Sequence, residues 1–282
     1  MHRSSAFPWT YVESLLAGRR SRAAFKDIQC YVMFIGQPRS GTSLVGSLLN
    51  AHRHTLFSQE LNALKYILRG YSRNQLYWLI QKREQDFANG GRRWTGYDYE
   101  VANQWQGRHE KLLVIGDKKA GCSSEIIRDH PNVVKMLEHR VGVPVRMVHV
   151  VRNPFDTITT ISRKRSRTSL SKTAGMYLDR CETNWRLMED RGEAIATIHL
   201  EDMIADPRQH LIDLARFVGV TPDKEYVDAC ARILFSKPRQ TKSSVDWPDE
   251  LIDWVTQRID KYPFLRGYNF ADPLPGDAAK AA

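Results

Sequence analysis

Short apolar runs alternate along the chain with longer segments in which apolar residues recur at intervals of three and four. Uninterrupted apolar runs are typical of strands that are buried on both faces of a sheet. The longer segments have the spacing of amphipathic helices. The predicted strands are "YVMFI" (31–35), "LLVI" (112–115), "VRMVHVV" (145–151) and "AIATIHL" (194–200).

Helix start and stop signals lie between these runs. One helix is predicted directly after Gly41, a second over 74–87, a third between Pro131 and Gly142, and a fourth over 207–219. Proline is favoured in the first turn of a helix and glycine just after the last. Strand–helix alternation predicts an α/β fold, a single domain whose central parallel sheet is flanked by helices. Ligands of such sheets bind at the carboxyl ends of the strands.

The composition is that of a globular protein. With 282 residues, 42% of them apolar, the chain can form one packed core. We assign residues 1–29 to a peripheral N-terminal segment, 30–270 to the domain and 271–282 to a tail. No stretch approaches the roughly 18 apolar residues of a spanning helix, and no secretory signal precedes the domain. We therefore expect a cytoplasmic protein without stable membrane insertion.

Charge and cysteine content narrow the ligand class only in part. Lys and Arg number 42 against 32 Asp and Glu, a net charge of +10 that suits an anionic ligand, a nucleic acid or a membrane surface. The four cysteines form no C-x-x-C pair, so we expect buried free thiols instead of a zinc site or a disulfide. The densest basic run comprises Arg163, Lys164, Arg165 and Arg167.

A glycine-rich loop, "GQPRSGTS" (36–43), joins the first predicted strand to a helix. Unpaired N–H groups at a helix start bind anions, so this loop predicts a phosphate site. The spacing of Gly36 and Gly41 is that of a P-loop, but Thr42 stands where a nucleoside triphosphatase carries lysine. A phosphorylated ligand is indicated, and triphosphate hydrolysis is disfavoured.

Three further features follow predicted strands or the first helix. Arg152 leaves the strand 145–151, and a guanidinium there can hold a phosphate, with the Thr160 hydroxyl two helical turns further on. Lys118 and Lys119 in "GDKKAG" (116–121) can supply positive charge to a leaving oxygen. Glu60 lies in "LFSQELNAL" (56–64), beyond the helix that the glycine loop opens.

The order and content of these motifs resemble the sulfotransferases that use 3′-phosphoadenosine 5′-phosphosulfate (PAPS), in the branch of tyrosylprotein sulfotransferases and many bacterial enzymes. The likeness covers roughly residues 31–220 and implies the P-loop NTPase-like sulfotransferase fold. "PRSGTS" (38–43) is similar to the family's "PRSGTT/S" loop. The resemblance implies that this loop binds the 5′-phosphosulfate through Arg39, Ser40, Gly41, Thr42 and Ser43.

The resemblance also implies roles for the other motifs. Glu60 follows Arg39 by 21 positions, as the family's catalytic glutamate does. "VRNP" with a hydroxyl eight positions after its arginine implies that Arg152 and Thr160 bind the 3′-phosphate, with Ser162 as a competing hydroxyl. "GDKKAG" is similar to the family's D-K-x-P but lacks its proline, so Lys118 is preferred and Lys119 stays open. His199 or Leu200 stands where an adenine-contacting tyrosine often lies.

The implied activity is transfer of a sulfuryl group from PAPS to a hydroxyl acceptor (a glycan, lipid, phenol or other metabolite), with adenosine 3′,5′-bisphosphate (PAP) as product. No metal and no nucleic acid partner is expected. Glu60 would be the general base, with His52 and His54 next in line, while Lys118 and Arg39 would stabilise developing charge. The acceptor segment is expected within 66–110, whose aromatic residues are Tyr66, Tyr71, Tyr77, Trp78, Trp94, Tyr97, Tyr99 and Trp105.

Two other functions stay open at this point. A nucleotide kinase or NTPase with a degenerate P-loop is suggested by Asp117, which follows "LLVIG" and could hold Mg²⁺. A non-catalytic nucleic acid binder is suggested by the net charge alone.

Overall fold

A five-stranded parallel sheet forms the centre of the molecule. The computed structural model describes residues 6–94, 96–164, 168–234 and 237–271. The strands are β1 Cys30–Gly36, β2 Thr55–Gln59, β3 Arg93–Trp94, β4 Tyr97–Asp98, β5 Val114–Lys118, β6 Val145–Val151 and β7 Ile195–His199. The central sheet has the order β2-β5-β1-β6-β7, and β3 and β4 form a separate antiparallel ribbon.

Helices of six to 22 residues connect the strands. In chain order they are α1 Ala6–Arg20, α2 Thr42–Asn50, α3 Ala63–Leu68, α4 Arg73–Asn89, α5 Ala120–Asp129, α6 Val133–Val141, α7 Pro154–Lys164, α8 Leu170–Arg191, α9 Leu200–Ala205, α10 Pro207–Val218, α11 Lys224–Arg232 and α12 Asp249–Ile259.

Helices cover both faces of the sheet. Alternate residues of a strand point to opposite faces, so strands that are apolar throughout need packing partners on each side. Val32 and Phe34 of β1 pack in one core cluster with apolar residues of α2, α10 and α11. Tyr31 and Met33 of the same strand pack in a second cluster, with residues of α3, α4 and α6. A third cluster joins α7, α8 and α12 beyond the end of β6. The expected parallel sheet flanked by helices is thus confirmed.

The four predicted strands are all present, but the sequence pattern missed β2. Its residues, Thr55–Gln59, include only two apolar side chains, yet all five are buried. The predicted strand 112–115 is displaced towards Val114–Lys118, because Asp117 and Lys118 continue the pairing with β2 despite their charge. The helices predicted over 74–87 and 207–219 correspond to α4 and α10, and Gly219 caps α10 with a positive φ.

The N-terminal helix α1 packs on the domain, and most of the predicted C-terminal tail lies outside the described residues. α1, within the predicted peripheral segment, packs along α4. Of the predicted tail, only Ala271 belongs to the described residues, and Arg165 and Arg167 of the basic run also fall outside them. In the described part of the chain, no helix has the length and apolar character that crossing a membrane requires.

Parallel pairing places the carboxyl ends of the strands at one edge of the sheet. β1 ends at Gly36, β2 at Gln59, β5 at Lys118 and β6 at Val151. Gln59 pairs with Lys118, and Gly36 with Val150. The glycine loop, Glu60, Lys118 and Arg152 therefore all start from this edge.

Candidate active site

The glycine loop is held rigidly by buried hydrogen bonds. The N–H of Gly36 donates to Ser124 Oγ (2.9 Å), and Gln37 Nε2 donates to the carbonyl oxygen of Tyr177 (2.8 Å). Ser40 Oγ donates back to the carbonyl oxygen of Gln37 (3.0 Å). These bonds join the loop to α5 and α8, so its conformation is fixed by tertiary contacts as well as by its own glycines.

Two residues of the loop, just before α2, have left-handed backbone conformations. Arg39 has φ 70° and Gly41, which precedes α2, has φ 97°. No side chain caps this helix start, so the first N–H groups of α2 are not used by a capping residue of the loop. Arg39 Nε is buried and has no hydrogen-bond partner among the described residues. Both features suit an anion, which needs donors that the protein has not already used.

Glu60 directly follows β2 in a strained turn. Its φ is 61° and that of Asn62 is 67°, a region costing non-glycine residues about 1–3 kcal/mol each. The Glu60 N–H donates to the carbonyl oxygen of Lys118 (3.2 Å), which extends the β2–β5 pairing by one residue. The turn points the Glu60 side chain to the edge of the sheet where the loop lies.

The carboxylate of Glu60 lies between two lysines. Lys118 Nζ donates to Glu60 Oε1 (2.9 Å), and Lys119 Nζ donates to Glu60 Oε2 (2.5 Å). Lys118 Nζ also donates to Ser43 Oγ in the first turn of α2 (2.7 Å). Glu60, Lys118 and the glycine loop are therefore brought together, and Lys118 is the lysine that bridges the carboxylate and the loop.

These contacts set the protonation states of the cluster. Burial alone would raise the pKa of Glu60, but the charges and hydrogen bonds of Lys118 and Lys119 outweigh it and lower this pKa to about 2. Burial lowers the pKa of Lys118, whose side chain is only 2% exposed, and the Glu60 carboxylate opposes that change. Burial acts in the same direction on Lys119, but its hydrogen bond to Glu60 prevails and raises its pKa. At neutral pH Glu60 is a carboxylate.

Arg152 lies at the carboxyl end of β6 and ties the loop to a distant segment. Its Nη1 donates to the carbonyl oxygen of Arg39 (3.3 Å), and its Nη2 donates to that of Arg239. Burial lowers the pKa of Arg152, with the carboxylates of Asp156 and Glu201 opposing. The guanidinium is thus a buried cation next to the glycine loop.

Thr160 is placed beside the same distant segment. Its Oγ1 donates to the carbonyl oxygen of Asp156 (2.8 Å) and lies 3.0 Å from Thr241 Oγ1. Arg239 and Thr241 therefore bring Arg152 and Thr160 into one neighbourhood. Ser162, the competing hydroxyl, donates to the carbonyl oxygen of Thr168 (3.5 Å) and lies about 200° further round α7.

The sequence model of the sulfotransferase domain family matches residues 31–266. The chain belongs to this family. No curated protein matches the sequence closely enough to count as a relative. The resemblance identified from the motifs is confirmed, and with it the enzyme class.

Solved structures similar to this sulfotransferase include proteins from bacteria and mouse. Sulfotransferase STF9 from Mycobacterium avium is 9% identical with a TM-score of 0.51, covering 90% of this chain and 81% of its own. The sulfotransferase domain of the Synechococcus PCC 7002 olefin synthase is 17% identical with a TM-score of 0.46, covering 90% and 94%. Mouse SULT7A1, complexed with PAP, is 12% identical with a TM-score of 0.45, covering 85% and 87%. The likeness to STF9 shows the fold.

Asp117 has a role in this sulfotransferase that the sequence did not reveal. It is buried, and its Oδ1 accepts hydrogen bonds from Ser58 Oγ (2.8 Å) and the Leu61 N–H (2.9 Å). Its Oδ2 accepts from the Ala63 N–H (2.9 Å). Asp117 therefore holds the turn that carries Glu60. Both carboxylate oxygens are used in this way, which removes the observation that favoured a magnesium-dependent NTPase.

Gly46 was also missed, because a glycine in a helix carries no chemical signal. A Cβ at this position of α2 would lie 2.9 Å from Cγ of Lys118. The missing side chain leaves room for the Lys118 stem to pass between β5 and α2. Arg239, Thr241 and Lys242 are further residues near Arg152 and Thr160. The sequence signal for them was a general likeness of "SKPRQTKSSVDW" (236–247) to the family, which assigned no role to a single residue.

The alternative bases His52 and His54 precede β2, whereas Glu60 follows it, so a strand of five residues, about 17 Å long, lies between them and Glu60. His52 Nε2 lies 3.0 Å from the carbonyl oxygen of Thr221, and burial lowers its pKa.

The aromatic residues of 66–110 divide between the interior and the surface. Tyr71, Tyr77 and Tyr99 are buried, whereas Tyr97 is half-buried and accepts a hydrogen bond from Arg239 Nη1 (2.6 Å). Leu200, one of the two residues at the adenine position, lies beside Gly41 of the loop, since a Cβ on that glycine would lie 2.9 Å from its methyl carbons.

Proposed function

We propose that this sulfotransferase moves a sulfuryl group from PAPS to a hydroxyl acceptor, with Glu60 as the general base. The observation that carries the proposal is the contact of one buried lysine, Lys118, with both Glu60 and Ser43 of the glycine loop. A base, a cation and a phosphate-binding loop then meet at one edge of the sheet.

The residues of the site fit a nucleotide with anionic groups at two positions. The glycine loop offers the helix start of α2 and the unpartnered Nε of Arg39 for a 5′-phosphosulfate. Arg152 and Thr160, with Arg239 nearby, offer a guanidinium and a hydroxyl for a 3′-phosphate. Thr42 suits this ligand, because PAPS has no γ-phosphate for a P-loop lysine to bind.

When bound, PAPS supplies the sulfuryl group: the acceptor oxygen bonds to sulfur, the bond from sulfur to the 5′-phosphate oxygen breaks, and PAP leaves. Glu60 accepts the acceptor's proton at a carboxylate oxygen. Lys118 and Arg39 hold positive charge beside the loop, where negative charge grows.

The pairing of Lys118 tunes the base. With both lysines bound to it, Glu60 has a pKa of about 2 and is a weak proton acceptor. An anion on the loop competes with Glu60 for Lys118, whose Nζ already contacts Ser43. Burial raises the pKa of Glu60, and the pairing with Lys118 lowers it. When that pair weakens, the pKa of Glu60 therefore rises. Occupation of the loop thus strengthens the base.

The acceptor is proposed only as a hydroxyl compound, whether glycan, lipid, phenol or other metabolite. Tyr97 is the aromatic residue of 66–110 that contacts Arg239 and so lies beside the proposed nucleotide site. A screen of such compounds with sulfur-labelled PAPS, followed by separation of labelled products, identifies the acceptor. Turnover that requires Mg-ATP in place of PAPS would overturn the proposal in favour of a kinase.

Nucleotide binding tests the two-position site directly. We expect calorimetry to show PAP binding at least tenfold more tightly than AMP, because charge-assisted hydrogen bonds contribute about 1.5–3 kcal/mol each. Thr160→Val is expected to reduce that preference for PAP while AMP affinity stays unchanged. Thr256→Val, which removes a hydroxyl that bonds only its own helix at Ile252, is the matched control. Equal affinities for PAP and AMP in the wild type would remove the 3′-phosphate assignment.

A further inference from the structure

An apolar stripe runs along the outer face of α1. Among the described residues, the strongly exposed large apolar side chains are Trp9, Tyr11, Val12, Leu16, Trp105 and Met136, and the first four all belong to α1. Trp9 is 79% exposed, Val12 50% and Leu16 51%. Their spacing of three and four residues places these three on one side of the helix.

The opposite side of α1 fixes the helix to the rest of the molecule. Gln75 Nε2 of α4 donates to the carbonyl oxygen of Tyr11 (3.1 Å) and to Ser14 Oγ (3.2 Å). Gly18 packs so closely that a Cβ would lie 2.7 Å from the carbonyl oxygen of Asn74. Ser14 and Gly18 are buried against α4, whereas the stripe of Trp9, Val12 and Leu16 faces outward. Rotating the helix to bury the stripe would break the contacts of Ser14 and Gly18.

Positive charge continues the stripe at its carboxyl-terminal end. Arg19 and Arg20 close α1 and are exposed, as are Arg22 and Lys26 just beyond. The acidic residue within the stripe region, Glu13, is paired with Lys82 Nζ at 2.5 Å. Exposed tryptophan and leucine can bury apolar area in the interface of a membrane, and neighbouring arginines are attracted to its anionic headgroups.

We propose that α1 docks this protein on the surface of an anionic lipid bilayer. Trp9, Val12 and Leu16 enter the boundary between headgroups and acyl chains, and Arg19 and Arg20 contact lipid phosphates and carboxylates. The helix lies in the plane of the interface and does not cross it. The inference is independent of the proposed sulfuryl transfer, since it rests on α1 and its contacts with α4.

Sedimentation with vesicles tests the docking surface. The full chain is expected to bind vesicles of phosphatidylcholine with phosphatidylserine, and to bind pure phosphatidylcholine much more weakly. Trp9→Ser with Leu16→Ser is expected to lower the partition coefficient at least tenfold, as is Arg19→Gln with Arg20→Gln. The controls are Met136→Ser, an exposed apolar residue of α6, and Arg128→Gln with Lys135→Gln, exposed basic residues elsewhere. Both controls are expected to bind as the wild type does.

A second measurement locates the contact. Brominated lipids are expected to quench tryptophan fluorescence in the wild type, and Trp9→Phe is expected to abolish most of the quenching while the protein still sediments with the vesicles. Thermal unfolding of each variant checks that the fold is retained.

Two results would overturn the inference. One is wild-type sedimentation with anionic vesicles that is no greater than in the control without lipid, or that the stripe variants leave unchanged. The other is a concentration-dependent dimer in analytical ultracentrifugation that Trp9→Ser with Leu16→Ser abolishes, which would assign the stripe to a second copy of the chain.

Discussion

Glu60 combines an unfavourable backbone with a tightly paired side chain. Its φ of 61° and its two lysine partners are both imposed by surrounding structure: Asp117 holds the turn, Lys118 ends β5, and Lys119 directly precedes α5. A surface glutamate would need neither. Strain and pairing at one residue are consistent with the base role proposed for it.

Replacing Glu60 with Gln tests that role. The amide keeps the size of the side chain but cannot take a proton at neutral pH, so we expect kcat to fall by about 10²–10⁴-fold. PAP affinity, measured by calorimetry on the same preparation, is expected to change little. Glu110→Gln, at an exposed site paired with Arg53, is the control. Activity near wild type would move the base role to another group, and loss of PAP binding as well would assign Glu60 to the fold.

A pair of matched variants distinguishes the role of Lys118 from that of Lys119. Lys118→Met keeps the buried stem against Gly46 but removes the charge shared by Glu60 and Ser43. We expect it to lower kcat by at least two orders of magnitude, whereas Lys119→Met lowers kcat less than tenfold. Steady-state kinetics with the acceptor found in the screen gives both values. The reverse order would make Lys119 the catalytic lysine.

At the scale of elements, the site depends on how closely α2 approaches β5. Gly46 permits that approach, and a methyl group there forces the Lys118 stem to move. A substitution at Gly46 can therefore displace the Lys118 side chain while the loop and α2 keep their conformation. The same principle applies to α5, where a Cβ on Gly121 would lie 2.8 Å from Pro38 of the loop.

Gly46→Ala is expected to reduce kcat at least tenfold without abolishing PAP binding, because it displaces the lysine and leaves the loop in place. Gly175→Ala in α8 is the control, since a Cβ there meets no atom within 4 Å. The control is expected to retain wild-type kcat and to gain up to about 1 kcal/mol of stability from helix propensity. Kinetics and thermal unfolding of both variants make the comparison. Unchanged kcat in Gly46→Ala would mean that Lys118 adapts without cost.

At the scale of the whole molecule, the ion cluster links stability to pH. The pKa of Glu60 is about 2 in the folded protein against an ordinary value of 4.5. A lowered pKa stabilises the folded state fully above the unfolded value, and this stabilisation is lost as pH falls through the folded value. The contribution of Glu60 is thus complete above about pH 5 and decreases towards pH 2.

The free energy of unfolding from urea titrations at pH 5, 4 and 3 measures this contribution. Between pH 5 and 3, wild type is expected to lose more stability than Glu60→Gln, which has no carboxyl group to titrate at this position. Glu110→Gln is expected to follow the wild type. Parallel curves for wild type and Glu60→Gln would show that the paired state of Glu60 is not maintained in solution.

The sequence by itself determined the fold class and the motifs on the strand ends. Apolar runs and helix signals predicted a parallel α/β sheet, because buried strands and amphipathic helices each leave a local pattern. Parallel strands place their carboxyl ends at one edge, so the loop, Lys118 and Arg152 could be expected together before any contact was known. The motif spacing similarly identified the family that residues 31–266 match.

Only the tertiary structure decided what holds the site in place. β2 has too few apolar residues to be recognised, and it forms because β5 and the covering helices bury its polar side chains. Asp117 accepts hydrogen bonds from Leu61 and Ala63 of the Glu60 turn, which precede it by 56 and 54 residues in the sequence. Arg152 bonds to Arg239, which follows it by 87 residues. Gly46 matters only because Lys118 passes beside it. Contacts between distant residues depend on packing, which leaves no local period in the sequence, and these supporting residues therefore became visible only in the folded chain.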